Sequence, residues 1–395
     1  MASAPVRMGP RPARIADWTR IPQMDPMLLG GVLGLIALSV VTLALTTQDD
    51  VAGNPYFFVI RQSIYAIVGI ALMLAAARVD YSRFRELRVG LYSAMIAAIV
   101  LVLLLGSATR GSRRWLELPF FTFQPSELGK ILLILALAAF AIDRARRISE
   151  RQRTARLLLL GLLPAGLIFL QPDFGTAVVY VAITGGIMLI AGVRWTHFAA
   201  IGGAALAVIV TILVIAPAAG TPVLKDYQEA RITAFLSPSS DSGDSSYQIN
   251  QALTAVGSGG KTGRGEESTQ TQLGFLPETR TDFIFAVVAE RWGLLGAALV
   301  LSLYALLIWR ALRILTISKN LYGSLIAAGV VSMLMFQVFV NVGMTLGLMP
   351  ITGLTLPLLS FGGSSVLSTF LAVGLLQSVF VQAQRTSGGR AQPLM

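Results

Sequence analysis

The stretch FIFAVVAERWGLLGAALVLSLYALLIW, Phe283–Trp309, decides the fold class of this chain. Its 27 residues carry only two charges, the neighbours Glu290 and Arg291. Crossing a hydrocarbon core about 30 Å thick takes about 20 mostly apolar residues in a helix. A helix apolar on every side has no face to offer water. The stretch therefore reads as a membrane span. Nine more candidates lie around it: Met27–Thr46, Ile60–Ala77, Val89–Leu105, Pro125–Ile142, Leu157–Leu170, Thr176–Val193, Phe198–Ala216, Tyr322–Leu348 and Ser364–Val381. Leu157–Leu170 is short for a span, and no cleavage-site pattern follows the first helix, so that helix reads as retained.

Composition agrees. Of 395 residues, 55% are hydrophobic and only 13% charged, against about 25% charged in soluble domains. The expectation is an all-α integral membrane protein with ten transmembrane helices. Its parts are an N-terminal segment (1–25), a ten-helix membrane domain (26–383) and a C-terminal tail (384–395). A large outer loop (218–282) joins helices seven and eight.

The formal charge is +11. In a soluble protein that would suggest nucleic acid; here it marks orientation. With the N-terminus inside, 20 Lys and Arg fall on inner segments, eight on outer segments and three within spans. Excess Lys and Arg stays cytoplasmic, so both termini are expected inside and no nucleic-acid partner is implied. The chain has no cysteine and one histidine, His197. That excludes disulfides, thiolate chemistry and a histidine-rich metal site. His197 is assigned no role.

The outer segments Gly106–Gln124 and Gly220–Asp282 are long, and loops beyond about 12–15 residues are usually functional or disordered. Ser237–Ser246 has a disordered composition. Apolar residues on either side of it, Leu224 to Leu236 and Tyr247, Leu253 and Val256, predict short amphipathic helices at the outer membrane surface.

Four clusters could carry chemistry. In FQPSELGK, Phe123–Lys130, Pro125 suits a first helical position, and Glu127 and Lys130 share a face. They either pair and complement the helix dipole or line an outward polar cavity. Upstream, GSRRW at Gly111–Trp115 offers Arg113 and Arg114 to a phosphate or sugar, or is an ordinary surface loop. In ETRTD, Glu278–Asp282, Asp282 begins the eighth helix as a dipole partner or as a general base. Glu290 and Arg291 lie about 80° and 180° around the helix from Asp282, so they read as structural. In AVGSGGKTGRG, Ala255–Gly265, a glycine-rich turn carries Lys261 and Arg264. It is an anion nest or a flexible loop, and its spacing is not a P-loop. GLMPITGLTLPLLSFGGSS, Gly347–Ser365, has no charge at all. Irregular apolar backbone at membrane depth is tolerated only inside protein or along a cavity, so this segment is a re-entrant wall or a tight packing element.

Together these motifs resemble the SEDS family of polytopic peptidoglycan glycosyltransferases, the RodA and FtsW type, from about Asp25 to Gln384. The resemblance also rests on QPDFGTA at Gln171–Ala177, RITAFLSP at Arg231–Pro238, YQINQALTAVGSGG at Tyr247–Gly260, FLPETRTDFIFAVVAE at Phe275–Glu290 and the stretch from Asn341 to Ser365. STQTQLGFLPE, Ser268–Glu278, looks like the elongation type, RodA. GLTLPLLSFGG, Gly353–Gly363, also has the division type's character. Arg291 departs from the family's more usual acidic residue, and EESTQTQ, Glu266–Gln272, from its usual loop.

The resemblance implies polymerisation of lipid II at the outer face of the bacterial cytoplasmic membrane, serving cell elongation and shape. It carries the catalytic aspartate to Asp282 and the important acid and lysine to Glu127 and Lys130. The product implies inversion, which needs one base and a stabilised polyprenyl diphosphate leaving group. Asp282 is the expected base. The expected diphosphate-binding cations are Lys130, Arg113, Arg114, Arg231, Lys261 and Arg280. A divalent cation, Mg or Mn, is compatible with Glu127, although no dedicated metal cage is legible. The prenyl tails are expected in grooves partly walled by Met349, Pro350, Pro357 and Phe361. Implied partners are lipid II, the growing glycan strand, a class B penicillin-binding protein, other cell-elongation machinery and membrane lipids. Two readings from other classes stay open: a lipid II flippase or transporter, and a noncatalytic scaffold for a transpeptidase.

Overall fold

A computed structural model describes residues 23–48, 50–109, 112–117, 122–143, 149–218, 235, 244–272 and 274–388. Among the described residues nine helices are long and apolar enough to cross a membrane, and with the shorter apolar Phe174–Ile190 they match the ten expected spans. They are α1 (Pro26–Thr46), α2 (Phe57–Arg78), α3 (Arg88–Leu105), α4 (Pro125–Ile142), α5 (Glu150–Leu170), α6 (Phe174–Ile190), α7 (Trp195–Ala218), α9 (Ile284–Ile317), α10 (Leu321–Thr345) and α11 (Gly363–Gly388). Helix α8 (Asp244–Ser258) lies in the long outer segment.

Hydropathy finds the apolar middle of a helix, but capping sets its ends. Helix α5 begins seven residues before Leu157 because Ser149 and Gln152 form a reciprocal capping box, which satisfies backbone donors at the start of its arginine-rich first turns. Asp25 caps α1 by accepting from Leu28 N at 2.9 Å, Asp173 caps α6 from Thr176 N at 3.3 Å, and Asn320 caps α10 from Gly323 N at 2.9 Å.

The helices α4, α10 and α11 form the buried centre, while α7 has no buried residue in its apolar window. Helix α11 packs along α2, and α10 along α6, α4 and α9. With lipid on the outside, such packing rests on close fit and hydrogen bonds more than on apolar burial. The inner ends of α1, α9 and α11 are tied by a buried network. Arg310 forms a bidentate ion pair with Asp25, and Asp25 N donates to Gln377 Oε1 at 2.8 Å.

The outer side departs from the expected loops in three ways. Between α3 and α4 the chain forms a small antiparallel sheet, β1 (Ser107–Thr109), β2 (Ser112–Glu117) and β3 (Thr122–Phe123), in the order β1-β2-β3. Helix α8 is amphipathic, but Ile249, Ala252 and Ala255 face protein, packing with Leu276, Phe283, Ala286 and Ile351. Tyr247 and Leu253 are exposed. The protein-packing face formed by Ile249, Ala252 and Ala255 is one that the expectation did not name. The companion helix expected over Leu224 to Leu236 lies outside the described residues, apart from Phe235.

Helix α9 is broken at Gly293 (φ 63°, ψ −154°). The break frees backbone groups, which the glycine-rich turn takes up: Leu294 N donates to Gly260 O at 2.9 Å and Arg264 N to Glu290 O at 2.9 Å. A Cβ at Gly293 would sit 2.4 Å from Gly263 N. The glycines of Ala255–Gly265 thus permit backbone-to-backbone contact, and of the two readings of that turn neither the anion nest nor the flexible loop describes it.

Candidate functional site

The first half of the site grows from the start of α4. Pro125 occupies a first-turn position, Glu127 follows within that turn, and Lys130 lies one turn on. Lys130 Nζ is 2.8 Å from Glu127 Oε1, and Ser368 of α11 donates to Glu127 Oε2 at 3.2 Å. Both charged residues are buried, Lys130 to 1% exposure. An unpaired charge at this depth is costly, and the two side chains are each other's partner. The helix start is further anchored by Gln124 N, which donates to Ser364 Oγ at 3.0 Å.

The second half is the turn before α9. Helix α9 begins at Ile284 with Phe283 as its cap, so Asp282 stands just ahead of the helix and is half-buried. Its turn is held from three sides. Asn341 Nδ2 donates to Asp282 O at 2.8 Å and to Leu354 O at 2.7 Å. Phe361 N donates to Arg280 O at 2.8 Å, and Ser360 Oγ donates to Thr281 O. Gly353 lies beside the carboxylate: a Cβ there would be 3.7 Å from Asp282 Oδ2. Its φ of +72° is a conformation glycine adopts without steric cost.

The uncharged segment Gly347–Ser365 and the first turn of α11 join the two halves. The segment grips the Asp282 turn through Leu354, Ser360 and Phe361. Thr355 and Ser365 hydroxyls are 2.9 Å apart, and Ser368 Oγ, whose single proton goes to Glu127, also lies 3.0 Å from Ser365 O. The segment is mostly buried in protein: Pro357 O accepts from Tyr304 at 2.6 Å and Leu359 O from Ser39 at 2.6 Å. Pro357 is itself buried, which removes it from the wall of an open groove, a correction to the expectation. Met349, Pro350 and Phe361 are half-buried. An open apolar groove of about 250 Å³ lies elsewhere, between α5 and α6, lined by Leu162, Phe169, Phe174 and Val181 among others.

Of the other expected cations, Arg114 and Arg280 are engaged with partners of their own. Arg114 lies 3.8 Å from the Asp173 carboxylate and donates to the backbone carbonyls of Gln171 and Pro172, which fastens the sheet to the α5–α6 junction. Arg280 pairs with Asp50 at 3.1 Å and lies 4.2 Å over the Phe58 ring. Lys261 has an exposed side chain, and its carbonyl accepts from Leu295 N at 3.3 Å. Arg231 and the side chain of Arg113 lie outside the described residues. Glu290 and Arg291 are buried and hold backbone groups of other segments, in keeping with the structural reading. The Glu290 oxygens accept from Gln270 N and Thr271 N at 2.9 and 3.1 Å, and Arg291 donates to Leu45 O at 3.2 Å.

Among the described residues no three His, Cys, Asp or Glu side chains converge on a metal position. Both Glu127 oxygens already accept hydrogen bonds, one from an ammonium that would repel a cation. Glu127 therefore stands without further ligands to form a built cation site among the described residues, and no chemistry is routed through one.

Sequence reasoning passed over Asn341, Ser360 and Ser368. A signal existed for Asn341, because a buried amide inside a span needs partners of its own. Ser360 and Ser368 look like ordinary small polar residues until the fold brings distant backbone to them.

Comparison with known proteins gives one consistent picture. The family model covering FtsW, RodA and SpoVE, described as cell cycle protein, matches residues 24–385. Stage V sporulation protein E of Bacillus subtilis is 38% identical over 370 residues, 90% of this chain and 97% of that protein. The protein named "Probable peptidoglycan glycosyltransferase FtsW" in Idiomarina loihiensis is 35% identical over 381 residues, 93% of this chain and 91% of that protein. A solved structure described as "Structural coordination of polymerization and crosslinking by a peptidoglycan synthase complex" aligns with a TM-score of 0.77 at 32% identity, over 91% of this chain and 98% of that chain.

Proposed function

The chain belongs to the FtsW, RodA and SpoVE family, and on that premise we propose that it polymerises lipid II with Asp282 as the base. It is a multi-pass peptidoglycan glycosyltransferase of the bacterial cytoplasmic membrane. Both termini, 1–25 and 384–395, are cytoplasmic, and the membrane domain over 26–383 opens its site outward.

In the proposed step, the acceptor sugar hydroxyl gives its proton to the Asp282 carboxylate. The hydroxyl oxygen attacks the anomeric carbon from the face opposite the diphosphate. The bond from that carbon to the diphosphate breaks, its electron pair leaves with the diphosphate, and the new linkage is inverted. General-base assistance of this kind contributes on the order of 10²–10⁴-fold. Fixed positive charge near the leaving group lowers the barrier further. Lys130 is the cation assigned to that task, because an ammonium has three donors and Glu127 takes one. Lys130 is covered, so this role requires its cover to open when substrate enters. Arg113 and Arg231 remain proposed diphosphate contacts.

The single observation that carries this reading is the junction itself: one uncharged segment grips the turn of Asp282 and continues into the helix that bonds Glu127. A class B penicillin-binding protein is the proposed partner, supported by the synthase complex that this chain resembles. Other cell-elongation proteins and the surrounding lipids complete the proposed setting.

The test is polymerisation of labelled lipid II in detergent by purified protein with and without the transpeptidase. Polymer is expected. Transfer of lipid across sealed vesicles with no polymer in either arm would make the protein a transporter instead. The sequence favours the elongation type through Ser268–Glu278, while relatives named for division and sporulation favour a second, division-type reading. Rescue of a rod-shaped bacterium depleted of one polymerase or the other separates them: restored width and rod shape mean elongation, and restored septation means division.

A further inference from the structure

We propose that Asn341 is the positioning residue of the reaction, a bracket that fixes the Asp282 turn against the uncharged segment. The inference rests on the reading of Asp282 as the base. Asn341 is fully buried in α10. Its amide nitrogen donates to two backbone carbonyls far apart in sequence, Asp282 O at 2.8 Å and Leu354 O at 2.7 Å. Two acceptors facing one amide settle which way it points, since only the NH₂ group can serve both. Asn341 thereby joins the turn carrying the carboxylate to the backbone beside Gly353, which lines it.

The neighbouring fastenings show why this one matters. Ser360 and Phe361 hold Thr281 and Arg280, upstream of Asp282. Asn341 holds the main chain of Asp282 itself, and from another span. A misplacement of about 1 Å in a reacting group can cost on the order of 10²-fold in rate. Loss of the bracket therefore lowers turnover while leaving substrate capture by the rest of the site intact.

Near-isosteric variants test it. Asn341→Asp keeps the shape but turns both donors into acceptors facing carbonyl oxygens, and Asn341→Ser keeps a single donor. Both are purified with the transpeptidase partner and assayed on labelled lipid II, with rates corrected for folded protein by thermal unfolding. The expected result is a fall in kcat of roughly 10²-fold for Asn341→Asp, a smaller fall for Asn341→Ser, and KM within about threefold of wild type. In an Asp282→Asn background, Asn341→Asp should add little further loss, because the bracket acts through that side chain.

Wild-type kcat in Asn341→Asp overturns the proposal. So does a loss confined to KM, or misfolding of both variants, which would make Asn341 a packing residue of the bundle. An active Asp282→Asn is a different failure: it removes the base reading on which the bracket depends, and it is read from the single variant alone.

Discussion

Two acid–base pairs sit in apolar helices of this protein, and they behave in opposite ways. Glu127 and Lys130, three residues apart in α4, turn towards each other and bond at 2.8 Å. Glu290 and Arg291, adjacent in α9, turn apart. Glu290 serves two backbone amides, and Arg291 serves the carbonyl of Leu45. Residues three apart share a helix face, whereas neighbours point about 100° from one another. The same two charge signs therefore give an ion pair within one helix in one place and, in the other, two separate clasps, one on the amides of Gln270 and Thr271 and one on the last turn of α1. The first pair can serve chemistry, because its charges are matched within one helix. The second is committed to holding the outer turns.

The largest expected effect breaks the first pair. Lys130→Met leaves a buried carboxylate without its cation, which costs about 3–5 kcal/mol and abolishes polymerisation; thermal unfolding in detergent and the lipid II assay read both. Replacing both partners, Glu127→Gln with Lys130→Met, removes the uncompensated charge. Most of the lost stability should return while polymerisation stays absent, which separates fold from function. Glu290→Gln is expected to be milder, at about 1–3 kcal/mol, because one acceptor remains for two amides; faster hydrogen exchange at Gln270 and Thr271 would report it. Arg291→Met should be smallest, about 1.5 kcal/mol, since a single hydrogen bond from a charged donor to the carbonyl of Leu45 is lost. If Arg291→Met cost as much as Lys130→Met, the two pairs would be alike and the contrast would fail.

The same geometry explains what could be read in advance. The ten spans follow from length and apolarity, so hydropathy finds them with modest errors at their ends. The Glu127–Lys130 pair was legible because it depends only on spacing within one helix. The separation of Glu290 from Arg291 was legible for the same reason. The roles of Arg114 and Arg280 were not, because Asp173 and Asp50 reach them only through the fold. Nor was the purpose of Ala255–Gly265, whose glycines match a break at Gly293 some thirty residues later. The small outer sheet was missed because three short strands leave no periodic signal. Pro357 was misplaced because an apolar residue facing lipid and one facing protein look identical in sequence.

The central claim is that Asp282 removes the acceptor proton from within a turn the fold holds in place. The direct measurement is single-turnover polymerisation of labelled lipid II by Asp282→Asn, purified with its transpeptidase partner and matched to wild type in thermal stability. The account predicts a rate at least about 10²-fold lower with the unfolding temperature unchanged. A folded, partner-bound Asp282→Asn protein that builds glycan at the wild-type rate would contradict it.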